Sequence, residues 1–396
     1  MNLKPEILAS KEELTAIRRD IHMHPETAFE EFRTADIVAA KLESWGIEVH
    51  RGLAKTGVVG TLKAGTANRA IGLRADLDAL DLHELNDFAH KSAHEGKMHG
   101  CGHDGHTVML LGAAKYLAES KNFDGTVQFI FQPAEENVAG GRVMIKDGLF
   151  DKFPVEEVYG MHNMPGFALG KFALRKGPVM ASADFFELTI TGVGGHGAYP
   201  HKAVDPVLLA AQVIQAWQGI VSRNTDPVEA SVISVTEMKG GHTTNVIPES
   251  VVLRGTTRSF LPEIQQMIET NMEKIARGIV ESQGGTIKFV YDPRYASTIN
   301  APEQTDKAIK AAQAIVGAEN VDDHTPQMMG AEDFSWMLRE RPGCYLFIGN
   351  DGPDGGCHVH NPNYDFNDEN LTIGASFWAQ LVEQELPVDR VSVAAQ

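Results

Sequence analysis

Cysteine is scarce in this chain. Its three cysteines, Cys101, Cys344 and Cys357, stand in 396 residues, too few and too scattered for a disulfide framework, so a reducing compartment is expected. Positive charge is also in short supply: 35 Lys and Arg face 53 Asp and Glu, a formal net charge of −18. That balance argues against a protein that tracks nucleic-acid phosphates. No apolar run reaches the length of a membrane span, and the opening Met1-Asn2-Leu3-Lys4-Pro5-Glu6 lacks the apolar region of a secretion signal. The expectation is a cytoplasmic protein with neither nucleic acid nor membrane as partner. Internal repeats and low-complexity segments are missing too. The composition, 43% hydrophobic and 22% charged, is that of a globular chain, and 396 residues are too many for one ordinary core. Two domains are expected.

What the chain does have is a crowd of metal-ligating side chains at Met98-His99-Gly100-Cys101-Gly102-His103-Asp104-Gly105-His106. Cys101 and His103 are one residue apart, between glycines that let a loop close around an ion. The apolar stretch Thr107 to Ala114 predicts a buried helix directly after the loop. An acidic element follows at Gln132-Pro133-Ala134-Glu135-Glu136, and histidines recur at His162 and His360. Thiolate, imidazole and carboxylate together suit Zn²⁺, Mn²⁺, Co²⁺ or Ni²⁺. Any one of these elements alone reads more simply as a surface histidine or a solvated acidic pair.

The pattern of elements is α/β. Ser10-Lys11-Glu12-Glu13 has the form of a capping box ahead of a helix through Ile21, and a second helix runs from about Ala28 to Trp45. The strand Gly125 to Phe131 leads straight into Glu135-Glu136, and sites in α/β sheets gather at strand ends. Between about Ala183 and Ala296 the order becomes β-α-β-β-α-β, that of a ferredoxin-like unit. The α/β character then resumes with a helix over 306–316, a strand over 345–348 and a helix over 371–385. The expected architecture is a discontinuous catalytic domain with a central mixed sheet (1–182 and 297–396) and an inserted ferredoxin-like α+β domain (183–296).

Two metal ions a few ångströms apart can activate one water and polarise a carbonyl, a task that needs about five ligands and a free carboxylate for the proton. Cys101, His103, Glu136, His162 and His360 supply five ligands from separate segments, and Glu135 is the natural general base. The ordinary alternative for adjacent glutamates at a strand end is a solvated helix N-terminus.

Taken together the motifs resemble the aminoacylase/carboxypeptidase-type metallopeptidases. The nearest branch holds hippurate hydrolases, N-acyl-amino-acid amidohydrolases, N-acetyldiaminopimelate deacetylases and auxin-conjugate hydrolases. The resemblance runs from Arg18-Arg19-Asp20-Ile21-His22-Met23-His24-Pro25-Glu26 to Asn361-Pro362-Asn363-Tyr364-Asp365-Phe366. Between them lie Leu73 to Leu80, Cys101 to Asp104, Gln132 to Glu136, Gly160-Met161-His162, Gly194 to Ala198, Asn245 to Pro248 and Gly330 to Ser335, in family order. It implies two divalent ions per subunit and an inserted lid domain that also makes homodimers or higher homo-oligomers. The ligand set and Glu135 match by position, and Asp78 matches an aspartate that orients a ligand. His196 matches a lid histidine that stabilises the oxyanion, in its own site or a partner's. Asn245 and Arg258 match lid positions near the substrate, Arg258 toward its carboxylate. Asp76 stands where other branches carry a ligand histidine, with Cys101 compensating, so it is left out of the ligand set. Asp81 replaces a common proline and Gly100 a common alanine.

The implied reaction is hydrolysis of N-acyl-L-amino acids to a carboxylic acid and a free amino acid. The rivals are a dipeptidase or carboxypeptidase of the same chemistry and a binding protein that kept the fold. Among the other histidines, His90 and His94 are expected to be exposed, His22 and His24 to pack and cap, and His99 and His106 to support the loop. Cys344 and Cys357 are expected in or near the core.

Overall fold

The computed structural model describes residues 1–136, 138–352 and 355–388. It divides into two compact units, the first made of Met1–Val179, Ile299–Pro326 and the chain from Asp333, the second of Met180–Thr298 and Gln327–Glu332. The return of 327–332 to the second unit has a local cause. Met180 bridges to Met328, and the Ala181 N–H donates to the carbonyls of Met328 (3.0 Å) and Gly330 (3.1 Å).

The first unit is built on an eight-stranded mixed sheet in the order Glu48–Leu53, Gly57–Ala64, Gly125–Gln132, Ala70–Asp76, Glu157–Ala168, Gly343–Asp351, Phe172–Ala173, Val321–Asp322. Its four middle strands, 125–132, 70–76, 157–168 and 343–351, run parallel. They read as near-continuous apolar runs because both faces are covered: Ile71, Leu73, Val127, Phe129, Phe131, Val158, Leu346 and Ile348 are all buried. The helix His103–Ser120 is apolar on nearly every side and correspondingly buried. At Gly112 a side chain would meet Ala375 and Leu14 at 3.0 Å, which shows how closely the helices Lys11–Met23 and Asn370–Glu385 pack on it.

In the second unit the strands Ala183–Thr191, Ser231–Lys239, Ser250–Ser259 and Thr286–Tyr295 form an antiparallel sheet in the order 231–239, 250–259, 183–191, 286–295. The helix Pro206–Gly219 starts where expected for its chemistry. Proline sits at its first position, and the Asp205 carboxylate accepts the Val207 N–H at 2.9 Å. It shares a core with the helix Pro262–Glu281, and the Trp217 indole donates to the Met272 carbonyl at 2.9 Å.

Two local expectations are corrected. Ser10 makes no capping bond: a short helix, Pro5–Ala9, precedes it, and its hydroxyl donates back to the Glu6 carbonyl at 3.2 Å. The second helix begins at Phe32, four residues later than expected, because Phe29 takes a left-handed backbone (φ 61°).

Phe129 lies fully buried in the middle of the large sheet. Phe129→Ala is expected to cost about 3–5 kcal/mol, read as a lower urea midpoint for the first unit; an unchanged midpoint would contradict this packing.

Candidate metal centre

The sheet sets the site. Asp76 ends one parallel strand, with Asp78 just beyond it. Gln132 ends the next, with Glu135 and Glu136 following, and His162 lies in the third. The fourth contribution is the loop before the helix His103–Ser120, which holds Cys101. Among the triads of ligand atoms that fall within 4.8 Å of one another are Cys101, His103 and His162; Cys101, Glu136 and His360; His103, Glu135 and Glu136; and Asp76, His103 and His106. Cys101 is common to the first two.

Gly102 makes the close approach possible. It has φ 89°, a region that suits glycine, and a Cβ there would lie 2.3 Å from Asn163 Nδ2 and 2.5 Å from the Tyr364 hydroxyl. Asn163 uses that space. Its amide donates to the Cys101 carbonyl at 2.6 Å, its Oδ1 accepts the Tyr364 hydroxyl at 2.6 Å, and its N–H donates to His106 Nε2 at 2.9 Å. His106 in turn gives its Nδ1 proton to Asp76 at 2.6 Å. Both of its buried ring nitrogens are thus spent on neighbours.

The candidate ligands are aimed in the same way. His162 Nδ1 donates to the Asn163 carbonyl at 2.5 Å, which leaves the Nε2 lone pair 3.3 Å from Cys101 Sγ. His360 has φ 64°, is pinned through its N–H to the Gly100 carbonyl at 2.7 Å, and places Nε2 3.1 Å from a Glu136 oxygen. The Glu136 N–H donates to Asp78 Oδ2 at 2.9 Å, while Asp78 Oδ1 lies 3.3 Å from His103 Nδ1. Both ring nitrogens of His103 are buried without a hydrogen-bond partner, and so is Asp78 Oδ1. An imidazole left so is costly unless something else takes its lone pair, and a cation between His103, Cys101 and His162 fits that need.

Asp76 has a different duty. Arg74 donates to it at 2.7 Å and to Asp333 at 2.9 Å, with Gln132 taking a third bond at 2.9 Å. Asp333 returns to the site through its N–H, 3.4 Å from a Glu135 oxygen. Burial alone would raise the Asp76 carboxyl, but His103, His106 and Arg74 hold it well below the usual carboxylate range. The Cys101 thiol is pushed up by burial and by Glu136, with His103 opposing. Hydrogen bonds to Cys101 and Glu136 push His360 up to about 10. These groups hold protons that a cation must displace, so acidification competes with metal.

The other histidines differ from expectation in part. His90 is buried rather than exposed: it stacks on Phe88 at 3.9 Å and pairs with Asp365 at 3.0 Å. His94 is exposed, as expected, and lies in a bend. His22 is fully buried between Asp104 (2.8 Å) and Glu84 (3.3 Å), and burial pushes His99 down to about 4. Cys344 is buried, but Cys357 is exposed rather than near the core.

His196, Asn245 and Arg258 belong to the second unit. His196 pairs with Val246 in a two-residue bridge, and its Nδ1 accepts the Ala198 N–H at 3.0 Å, so the remaining proton sits on Nε2. Asn245 Oδ1 accepts the Thr243 hydroxyl at 3.1 Å. Arg258 is half-buried and donates to the Thr257 carbonyl at 2.8 Å and to the Thr256 hydroxyl. Sequence reasoning gave Asn163, Tyr364 and Arg74 no role, though each stood inside or next to a motif already singled out.

Parallel strand ends that converge carboxylates, imidazoles and a cysteine define a metallohydrolase-type centre. The chain belongs to the family Peptidase family M20/M25/M40, whose model matches residues 72–384. It is 42% identical to a hippurate hydrolase of Campylobacter jejuni, over 96% of this chain and 98% of that one. It is 37% identical to thermostable carboxypeptidase 2 of Saccharolobus solfataricus, over 94% and 95%. Among solved structures, the Bacillus subtilis YXEP protein, described as a dinuclear metal-binding peptidase of the M20 family, superposes with a TM-score of 0.83 at 32% identity, covering 96% of this chain and 99% of that one.

Two measurements follow. Gly102→Ala should displace Asn163 and lower divalent-metal affinity about 10–100-fold by equilibrium dialysis; unchanged affinity would remove the Gly102–Asn163 contact from the argument. For His22, burial disfavours the cation, but the bonds to Asp104 and Glu84 outweigh it and push the group up to about 9. Its stabilisation is complete below about pH 6.5, the ordinary histidine value, and lost as pH rises through about 9. The urea midpoint should therefore drop more between pH 6 and pH 9.5 in the native protein than in His22→Gln; equal drops would contradict the assignment.

Proposed function

We propose that the protein is a metal-dependent amidohydrolase that cleaves N-acyl-L-amino acids to a carboxylic acid and a free amino acid. The observation that carries this reading is the buried, unpartnered imidazole of His103 among Cys101, His162 and Glu136, with the Glu135 carboxylate beside them. The similarity to a hippurate hydrolase over nearly the whole chain supports the substrate class. We assign Cys101, His103, Glu136, His162 and His360 as the residues that would hold two divalent ions, Mn²⁺, Zn²⁺, Co²⁺ or Ni²⁺, and Asp78 as the group that orients His103. Bound there, such ions lower the pKa of a water and polarise the acyl carbonyl.

The chain's own residues carry the proton and the orientation. Glu135 accepts the proton of the attacking water on a carboxylate oxygen and hands it to the leaving nitrogen. Its buried position, with the Asp333 N–H as a neighbour, limits the water that could compete. His196 offers its Nε2 proton to the developing oxyanion. Arg258 presents a guanidinium fork to the substrate α-carboxylate, and Asn245 its amide. We read the second unit as a ferredoxin-like lid and dimerisation domain inserted in the catalytic one, its strand order and two helices supporting this, and the protein as a cytoplasmic homo-oligomer. The similarity to a carboxypeptidase favours one second reading, a peptidase with the same centre acting on short peptides.

The test uses chelator-stripped protein given Mn²⁺, Zn²⁺, Co²⁺ or Ni²⁺ singly, with N-acetyl, N-benzoyl and longer N-acyl amino acids and dipeptides as substrates. Metal-dependent release from acyl amino acids is expected. Release from dipeptides alone would move the assignment to peptidase, and silence throughout would favour the binding protein. Glu135→Gln should lower turnover roughly 10²–10⁴-fold while keeping its metal content; near-native turnover would dismiss Glu135 as the base.

A further inference from the structure

Glu31 lies far from the ligand loop in sequence, yet it touches the segment that carries the base. It is fully buried at the start of the helix Phe32–Ser44. Its Oε1 accepts two backbone N–H groups, those of Phe29 at 3.0 Å and Ala134 at 2.9 Å, and its Oε2 accepts the Thr56 hydroxyl at 2.6 Å. Each partner belongs to a left-handed turn. Phe29 has φ 61°, Ala134 has φ 56°, and Thr56 follows Ala54 and Lys55 at φ 46° and 72°. Residues with a Cβ enter that region at a cost and stay there only where the surroundings fix them.

Ala134 stands directly before Glu135. Its carbonyl is held as firmly as its N–H, accepting from the Gly140 N–H at 2.8 Å. Gly140 comes so close that a Cβ on it would sit 1.9 Å from the Pro133 carbonyl oxygen. One carboxylate and one glycine thus fix the peptide that aims the next side chain.

We propose that Glu31 is a positioning residue for the general base: by accepting the Ala134 N–H it holds the left-handed turn that points the Glu135 carboxylate into the metal centre. The claim rests on the reading of Glu135 as the base. What Glu31 supplies is an acceptor at a set distance, so its charge matters less than its reach. Gln keeps that reach, since its amide oxygen can accept both N–H groups while its NH₂ donates to the Thr56 hydroxyl. Asp keeps the charge but draws the oxygens back by one methylene and abandons Ala134.

The experiment compares Glu31→Gln and Glu31→Asp with the native holoenzyme and with Glu135→Gln. Backbone amide exchange at Ala134 is read first, because it does not depend on activity. Glu31→Asp should lose protection there about 100-fold while Phe129 in the sheet stays protected, and Glu31→Gln should keep it. On the fastest of the N-acyl amino acids, kcat should fall about 100-fold in Glu31→Asp, with KM within about twofold and metal content unchanged. Glu31→Gln should stay within about threefold of native kcat. Native protection or native kcat in Glu31→Asp overturns the proposal, as does a Gln variant that falls as far as the Asp variant. If Glu31→Asp gives no soluble protein, a tenfold loss in Glu31→Gln still overturns it. The two readings fail separately: an active Glu135→Gln dismisses the base, whereas an inactive Glu135→Gln beside an active Glu31→Asp dismisses only the positioning role.

Discussion

The contact on which the centre depends is the one between a glycine backbone and an asparagine amide. Cys101 sits on a loop and His162 in a strand, and only the absence of a side chain at Gly102 lets Asn163 reach the Cys101 carbonyl. Through that bond the loop is registered against the sheet. The same asparagine receives the His162 ring proton on its own carbonyl, steadies His106, and is itself fixed by Tyr364. The orientation of the candidate ligands therefore comes from a buried network centred on Asn163, whose bonds gain strength from the low local dielectric. The bonds of Asn163 thus hold the Cys101 loop, His106 and His162 in register with one another.

Charged groups form the next layer, and burial there is tolerated because charges are paired. Arg74 is matched by Asp76 and Asp333. Arg18 is matched by Asp365 and Asp368, and burial of its guanidinium is outweighed by those carboxylates and Asp104, which raise it further. Each cluster ties together segments far apart in the chain. Among the described residues, His99 and His103 are the buried imidazoles with neither ring nitrogen bonded. His99 is kept neutral by its surroundings, whereas His103 faces the other ligands.

Much of this was readable in the chain because the informative signals were local. Cys101-Gly102-His103 and Glu135-Glu136 are adjacent residues, and the strand before the glutamates and the helix after the cysteine announce themselves by apolar pattern alone. What stayed hidden is set by distant partners. His90 reads as exposed in a polar stretch, but its partner Asp365 lies 275 residues away. Glu31 falls inside the helix expected over 28–45 and carries no signal of its own there, and the Ala134 N–H it accepts is 103 residues off. Ser10 has the right neighbours for a cap and fails only because a helix already occupies the residues before it. Spacing reports what a segment prefers; it does not report which far segment will arrive to claim a side chain.

The division of the first unit into separate stretches also has a bearing on how the protein is made. The strand Gly343–Asp351 lies inside the large sheet, between Glu157–Ala168 and Phe172–Ala173, not at its edge. Asp333, His360 and Tyr364 all lie beyond it or just before it in the chain, after the whole Met180–Thr298 segment. A ribosome delivers residues in order, so Cys101, His103 and His162 emerge long before the groups that complete and steady their centre. The second unit has its own sheet and core and can fold in the interval. The sheet of the first unit then closes around a late-arriving interior strand. The ion-binding centre is thus a product of the final stage of synthesis, and a truncated chain that stops short of residue 343 lacks the means to finish it.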